Sequence, residues 1–143
     1  MEKVRMGFIG CGGIANGKHL PAQKRNPVAE MVAFCDVIEE RAQKACKEYG
    51  APGAKVYTDY RELLKDKSID AVFVLTPNCS HCEIAVAALE AGKHVMCEKP
   101  MAMNYAEAKK MIAARDKSGK VLTIGYQNRY RPDSLYLKGQ AEA

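Results

Sequence analysis

The segment from Val4 to Ala15, V-R-M-G-F-I-G-C-G-G-I-A, constrains this chain more than any other stretch. Val4 to Ile9 is a mainly apolar run of strand length; it stops at Gly10, Cys11, Gly12 and Gly13, and Ile14 and Ala15 open a helix-like segment. The first backbone N–H groups of a helix lack internal partners and the aligned peptide dipoles make that end partly positive, so the turn is suited to an anion. Gly10 permits the φ of a sharp turn, Gly12 carries no Cβ to hold a phosphate off the backbone, and Ala15 is small enough for close helix–strand packing. The spacing G-x-G-x-x-A is the pattern that cradles the pyrophosphate of a dinucleotide.

A second strand supports that reading. Met31 to Cys35 has the composition of a buried strand and ends at Asp36, where a carboxylate can hold the hydroxyls of an adenosine ribose. Asp36 sits somewhat beyond the usual spacing of about 20 residues, which a long first helix accommodates. A carboxylate there accepts from ribose hydroxyls and repels a 2′-phosphate. NAD is therefore the preferred cofactor, and Val37 and Ile38 offer no phosphate clamp. Arg41, on the next helix, keeps NADP open as an alternative.

The rest of the chain alternates strands with helices. A helix is predicted from Ile14 to about Asn26, with Pro21 kinking it or ending its first segment; His19, just before that proline, is read as a helix-surface residue, with approach to a ligand as the alternative. Arg41 to Tyr49 follows as a helix with Ala42, Ala45 and Cys46 on one face. Val56-Tyr57 is a short strand, Thr58 or Asp59 caps a small helix through Leu63 and Leu64, and Ala71 to Leu75 is a continuous apolar strand. Cys82 to Ala91, His94 to Cys97, Tyr105 to Arg115 and Val121 to Gly125 read as helix, strand, helix and strand. This alternation predicts an α/β fold: a doubly wound parallel sheet between two helical layers.

Composition excludes several classes. The chain has 143 residues, 48% of them hydrophobic, enough to fill one core. No apolar run approaches the roughly 20 residues of a membrane span and no signal-like segment precedes the first strand, so a cytoplasmic location is expected. The net charge of +5 is scattered, with no arginine-rich tract to suggest nucleic acid. The six cysteines, Cys11, Cys35, Cys46, Cys79, Cys82 and Cys97, read as reduced and mostly buried thiols. Cys79-x-x-Cys82 has the spacing of a redox or zinc pair, but no second ligand pair accompanies it, and no metal site is expected.

Ligands of a parallel sheet bind beyond the carboxyl ends of its strands. Gly10 to Gly13, Asp36, Thr76-Pro77-Asn78, Glu98-Lys99-Pro100 and Gln127-Asn128-Arg129 all follow strands and should rim one crevice. A lysine at such an edge can polarise a hydroxyl or carbonyl, with Glu98 tuning it. Together with H-V-M-C-E-K-P at 94–100 and Y-Q-N-R-Y at 126–130, these motifs resemble the Gfo/Idh/MocA family of dehydrogenases, which includes glucose-fructose oxidoreductase and inositol dehydrogenase.

The resemblance implies an N-terminal Rossmann domain over 1–125 that binds NAD or NADP and serves hydride transfer to or from a sugar, cyclitol or related polyol. Gly10, Cys11, Gly12, Gly13, Ile14 and Ala15 would cradle the pyrophosphate, and Thr76, Pro77 and Asn78 would line the cofactor path. His81 matches a histidine common in the family, Glu98 would position the cofactor end, and Lys99 would bind the reacting hydroxyl and assist proton transfer. Gln127 belongs to the exit segment, and residues 126–143, with a truncated crossover helix from Ser134, would lead toward the family's second domain. That domain, with its acid–base pair and most of the substrate pocket, has no counterpart here, so little or no turnover is expected of this chain by itself. A homo-oligomer is compatible with the resemblance. The competing readings are a non-enzymatic NAD-binding sensor and a methyltransferase-like fold, which fits Glu98-Lys99-Pro100 poorly.

Overall fold

The computed structural model describes residues 3–142; Met1, Glu2 and Ala143, at the limits of the two expected segments, lie outside them. The strands are β1 (Val4–Ile9), β2 (Ala29–Cys35), β3 (Lys55–Tyr57), β4 (Ala71–Val74), β5 (His94–Cys97) and β6 (Leu122–Ile124). The helices are α1 (Leu20–Lys24), α2 (Glu39–Tyr49), α3 (Tyr60–Lys65), α4 (His81–Glu90), α5 (Tyr105–Ser118) and α6 (Pro132–Glu142). All six strands are parallel, in the order β3-β2-β1-β4-β5-β6. The chain winds outward from β1 to β3, returns through α3, and adds β4 on the other side of β1. Brackets of a crevice are set there, because the connections on the two sides of β1 leave in opposite directions.

Alternation along β1 explains the layers. Phe8 points to one face and Ile9 to the other, and both are buried. On the first face Phe8 joins Leu20, Phe34, Ala42, Ala45 and Phe73 beneath α1 and α2. On the second, Ile9 joins Leu63, Val74, Leu89, Val95 and Met111 beneath α3, α4 and α5. Parallel registry sets Phe8 beside both Phe34 and Phe73, and the rings stack at centroid distances of 5.6 and 4.9 Å.

The helix expected from Ile14 to about Asn26 is present: helical backbone runs unbroken through Lys24, with Ala15–His19 wound as a π-helix that passes directly into α1. Pro21 falls in the first turn of α1, where the π winding of Ala15–His19 gives way to α winding, so it marks the end of the first helical segment. At the far end, α6 has no buried residue, and Leu135, Tyr136 and Leu137 are all exposed.

Candidate functional site

Gly10 and Gly12 serve different ends. Gly10 has φ +95°, and a Cβ on it would lie 2.7 Å from the Leu75 carbonyl oxygen, so the packing of β1 against the end of β4 itself requires glycine. At Gly12 and Gly13 a Cβ would meet nothing within 4 Å. The space that their missing side chains leave is open, which fits a phosphate approaching the backbone. Asn16 steadies the turn by donating through Nδ2 to the carbonyls of Cys11 at 2.7 Å and Gly12 at 2.9 Å. Cys11 contributes its backbone only, since its thiol is buried, and Ala15 is fully buried against the sheet. Ile14 is partly exposed.

Asp36 is buried and meets the turn directly. Its Oδ2 accepts from the Cys11 N–H at 2.8 Å, and its Oδ1 accepts from the Ile38 N–H at 2.9 Å. Each oxygen keeps a further lone pair for a ligand. Gly10, Gly12, Asp36, Arg41, Thr76 and Pro77 line one cleft of about 720 Å³, with Ser80 and Arg61 also on its wall. Arg61 is engaged by Glu83 at 2.7 Å and lies over the Tyr60 ring at 4.5 Å.

The loops after β4 and β5 are joined through His81. This side chain, expected at the cofactor, is fully buried, with Nδ1 2.7 Å from the Pro100 carbonyl and Nε2 2.9 Å from the Thr76 carbonyl. It holds the two loops together from beneath. Ser80 Oγ, 2.8 Å from both Thr76 Oγ1 and the Pro77 carbonyl, closes the same turn. Asn78 opens the short 3₁₀ turn Asn78–Ser80 and is exposed, away from the cleft wall.

Glu98 is buried at the end of β5, whereas Lys99 is exposed. Glu98 Oε2 accepts from the Lys99 N–H at 2.9 Å, and Oε1 accepts from His19 Nε2 at 2.7 Å. The expectation that His19 is a helix-surface residue is thus corrected: its side chain is 15% exposed and lies edge-on to Phe73 at 5.7 Å. A signal was available, because His19 follows the packed Ala15 by four residues and so shares its inward face. Gln127 lies in the exposed 3₁₀ turn Gln127–Tyr130 beyond β6.

The cysteines divide by burial. Desolvation pushes the thiols of Cys11, Cys35 and Cys97 up to about 12. Cys79 is exposed, while Cys82 is buried with Sγ 3.5 Å from the Glu107 carbonyl. No helix among the described residues is long and apolar enough to cross a membrane.

With this geometry in view, the comparisons with known proteins converge. The model of the oxidoreductase family with an NAD-binding Rossmann fold, GFO_IDH_MocA, matches residues 4–126. The chain belongs to the Gfo/Idh/MocA oxidoreductase family. Inositol 2-dehydrogenase of Salmonella typhimurium is 40% identical over 138 residues, which are 94% of this chain and 40% of that protein. D-glucoside 3-dehydrogenase of Escherichia coli is 37% identical over 137 residues, or 96% of this chain and 38% of its own length. Among solved structures, a 3-ketoreductase from Actinomadura kijaniata in complex with NADP superposes with a TM-score of 0.90 at 29% identity, covering 99% of this chain and 44% of that one. A dehydrogenase from Bordetella pertussis in complex with NADH and UDP-GlcNAcA gives 0.90 at 32% identity, covering 99% and 40%. The chain spans about 40% of the length of the curated relatives it matches. It is a Gfo/Idh/MocA Rossmann domain for a nicotinamide dinucleotide.

Proposed function

We propose that this chain is the NAD-binding part of a dehydrogenase acting on a hydroxyl or carbonyl of a sugar, cyclitol or related polyol. The observation that carries the cofactor reading is the open backbone at Gly12 and Gly13 beside a buried Asp36. Backbone N–H groups from Gly12 to Ala15 would face the pyrophosphate, since those of Gly10 and Cys11 are taken by the Cys35 carbonyl and Asp36, and the lone pairs left on Asp36 would accept from ribose hydroxyls. The same carboxylate would repel a 2′-phosphate, which favours NAD over NADP. When bound, the nicotinamide supplies or accepts the hydride. Thr76 and Pro77 would line its path, with Asn78 and Gln127 at the rim. Lys99, exposed at the end of β5, would bind the reacting oxygen and hold or release its proton.

The activities of the relatives, inositol 2-dehydrogenase and D-glucoside 3-dehydrogenase, support a sugar or inositol substrate. Calorimetric titration of the chain with NADH and NADPH tests the proposal. Micromolar NADH binding, tighter than NADPH and weakened in Asp36→Ala, is expected. Tighter NADPH binding would reverse the preference, and rapid polyol oxidation by the 143-residue chain would refute the expectation of low turnover.

A further inference from the structure

We propose that His19 and Glu98 form a positioning pair that fixes Lys99 relative to the glycine turn, so that a cofactor seated on the turn is sensed by the lysine loop. The inference rests on the dinucleotide reading above and assigns a role to His19 within the same site.

The two residues are 79 positions apart, yet their side chains meet at 2.7 Å. His19 ends the segment that leaves the glycine turn, and Asn16 of that segment is bonded to the carbonyls of Cys11 and Gly12. Glu98 spends its other oxygen on the Lys99 N–H. A continuous set of bonds therefore runs from the turn, through His19 and Glu98, to the backbone that carries Lys99.

Packing leaves this pair little freedom. Phe73 backs the His19 ring, and Gly125 at the end of β6 backs the carboxylate, where a Cβ would come within 3.3 Å of Glu98 Oε1. Glu98 is 5% exposed, so its carboxylate depends on protein donors for its hydrogen bonds, and loss of His19 removes one of them. Because a carboxylate oxygen only accepts, Nε2 carries the hydrogen in this contact. His19 acts on Lys99 through Glu98 and is a positioning residue, not a catalytic one.

The test uses the whole chain at one fixed neutral pH. Hydrogen exchange followed by NMR should show the Lys99 amide exchanging at least tenfold faster in His19→Ala. The Glu98 amide, bonded to the Val74 carbonyl, should stay within about twofold, which separates a local release from general loosening. His19→Gln, with an amide donor at similar reach, should restore the wild-type rate. In the second arm, saturating NADH should slow acetylation of Lys99 Nζ at least fivefold in the wild type and less than twofold in His19→Ala, with the NADH Kd changed less than threefold. An unchanged Lys99 amide in His19→Ala, or no rescue by glutamine, would overturn the pair; equal NADH protection in both proteins would overturn its link to the cofactor. Failure of the wild-type chain to bind NADH would overturn the dinucleotide reading and the link that rests on it, while the exchange arm would still decide the pair.

Discussion

The Cys11 N–H donates to Asp36 Oδ2 at 2.8 Å, joining the two residues across 25 positions. The acid that would hold the cofactor's ribose thus also holds the turn that would hold its phosphates. Binding and stability share one carboxylate.

Asp36→Ala should accordingly lower stability in the absence of any ligand. It strips partners from two N–H groups, those of Cys11 and Ile38, and we expect a loss of about 2–4 kcal/mol. Chemical denaturation measures it. NADH affinity, taken well below the unfolding transition, should fall at least tenfold, about 1.4 kcal/mol, and NADPH affinity should fall less.

Substitutions at two neighbouring glycines should separate fold from binding. Gly10→Ala forces a Cβ against the Leu75 carbonyl at φ +95° and should cost about 3 kcal/mol in stability. Gly12→Ala meets no atom within 4 Å, so stability should hold or rise by about 0.5 kcal/mol as the unfolded chain loses freedom. Dinucleotide affinity in Gly12→Ala should nevertheless drop at least tenfold. Melting curves with and without NADH distinguish the two variants.

Asp66 predicts an acid dependence. Lys55 at 2.7 Å, with donors from Ser68, holds its carboxyl well below the usual carboxylate range. A carboxyl lowered in the folded state adds stability that is complete above its unfolded value of about 4 and is lost as pH falls toward the folded value. Asp66→Asn should therefore cost about 1–2 kcal/mol near neutrality, discounted because Lys55 is exposed. Its deficit against wild type should narrow steadily below about pH 4 in urea titrations.

Thiol labelling under native conditions should give one fast equivalent. Cys79 is the exposed cysteine, whereas burial raises the thiols of Cys11, Cys35 and Cys97 to about 12. Cys79→Ser should remove the fast phase. A second fast thiol would be the half-buried Cys46 or a Cys82 that has left its contact with Glu107, and Cys46→Ser tells the two apart.

The glycine turn, Asp36 and the parallel sheet were legible because each depends on a local pattern: a glycine spacing, an acid at a strand end, apolar runs between helical ones. The roles of His19 and His81 depend on partners far along the chain. Nothing near His19 announces Glu98, and nothing near His81 announces that its second nitrogen meets the Pro100 carbonyl. The π winding of Ala15–His19 was hidden for a related reason: the backbone there follows the close fit of Ala15 and Leu20 to the sheet, not helix propensity.

The strand order also has a consequence in time. β1 precedes the other five strands along the chain, yet it lies in the middle of the sheet, with β2 on one edge and β4 on the other. Its second edge stays open until Val74 has emerged, and only then can Phe73 close over Phe8. Until that point the ribosome-bound chain exposes an unpaired apolar edge, the kind of surface that chaperones recognise. Later elements add to a seam already closed, so the interval between residues 35 and 74 is when this chain is most exposed to misassembly.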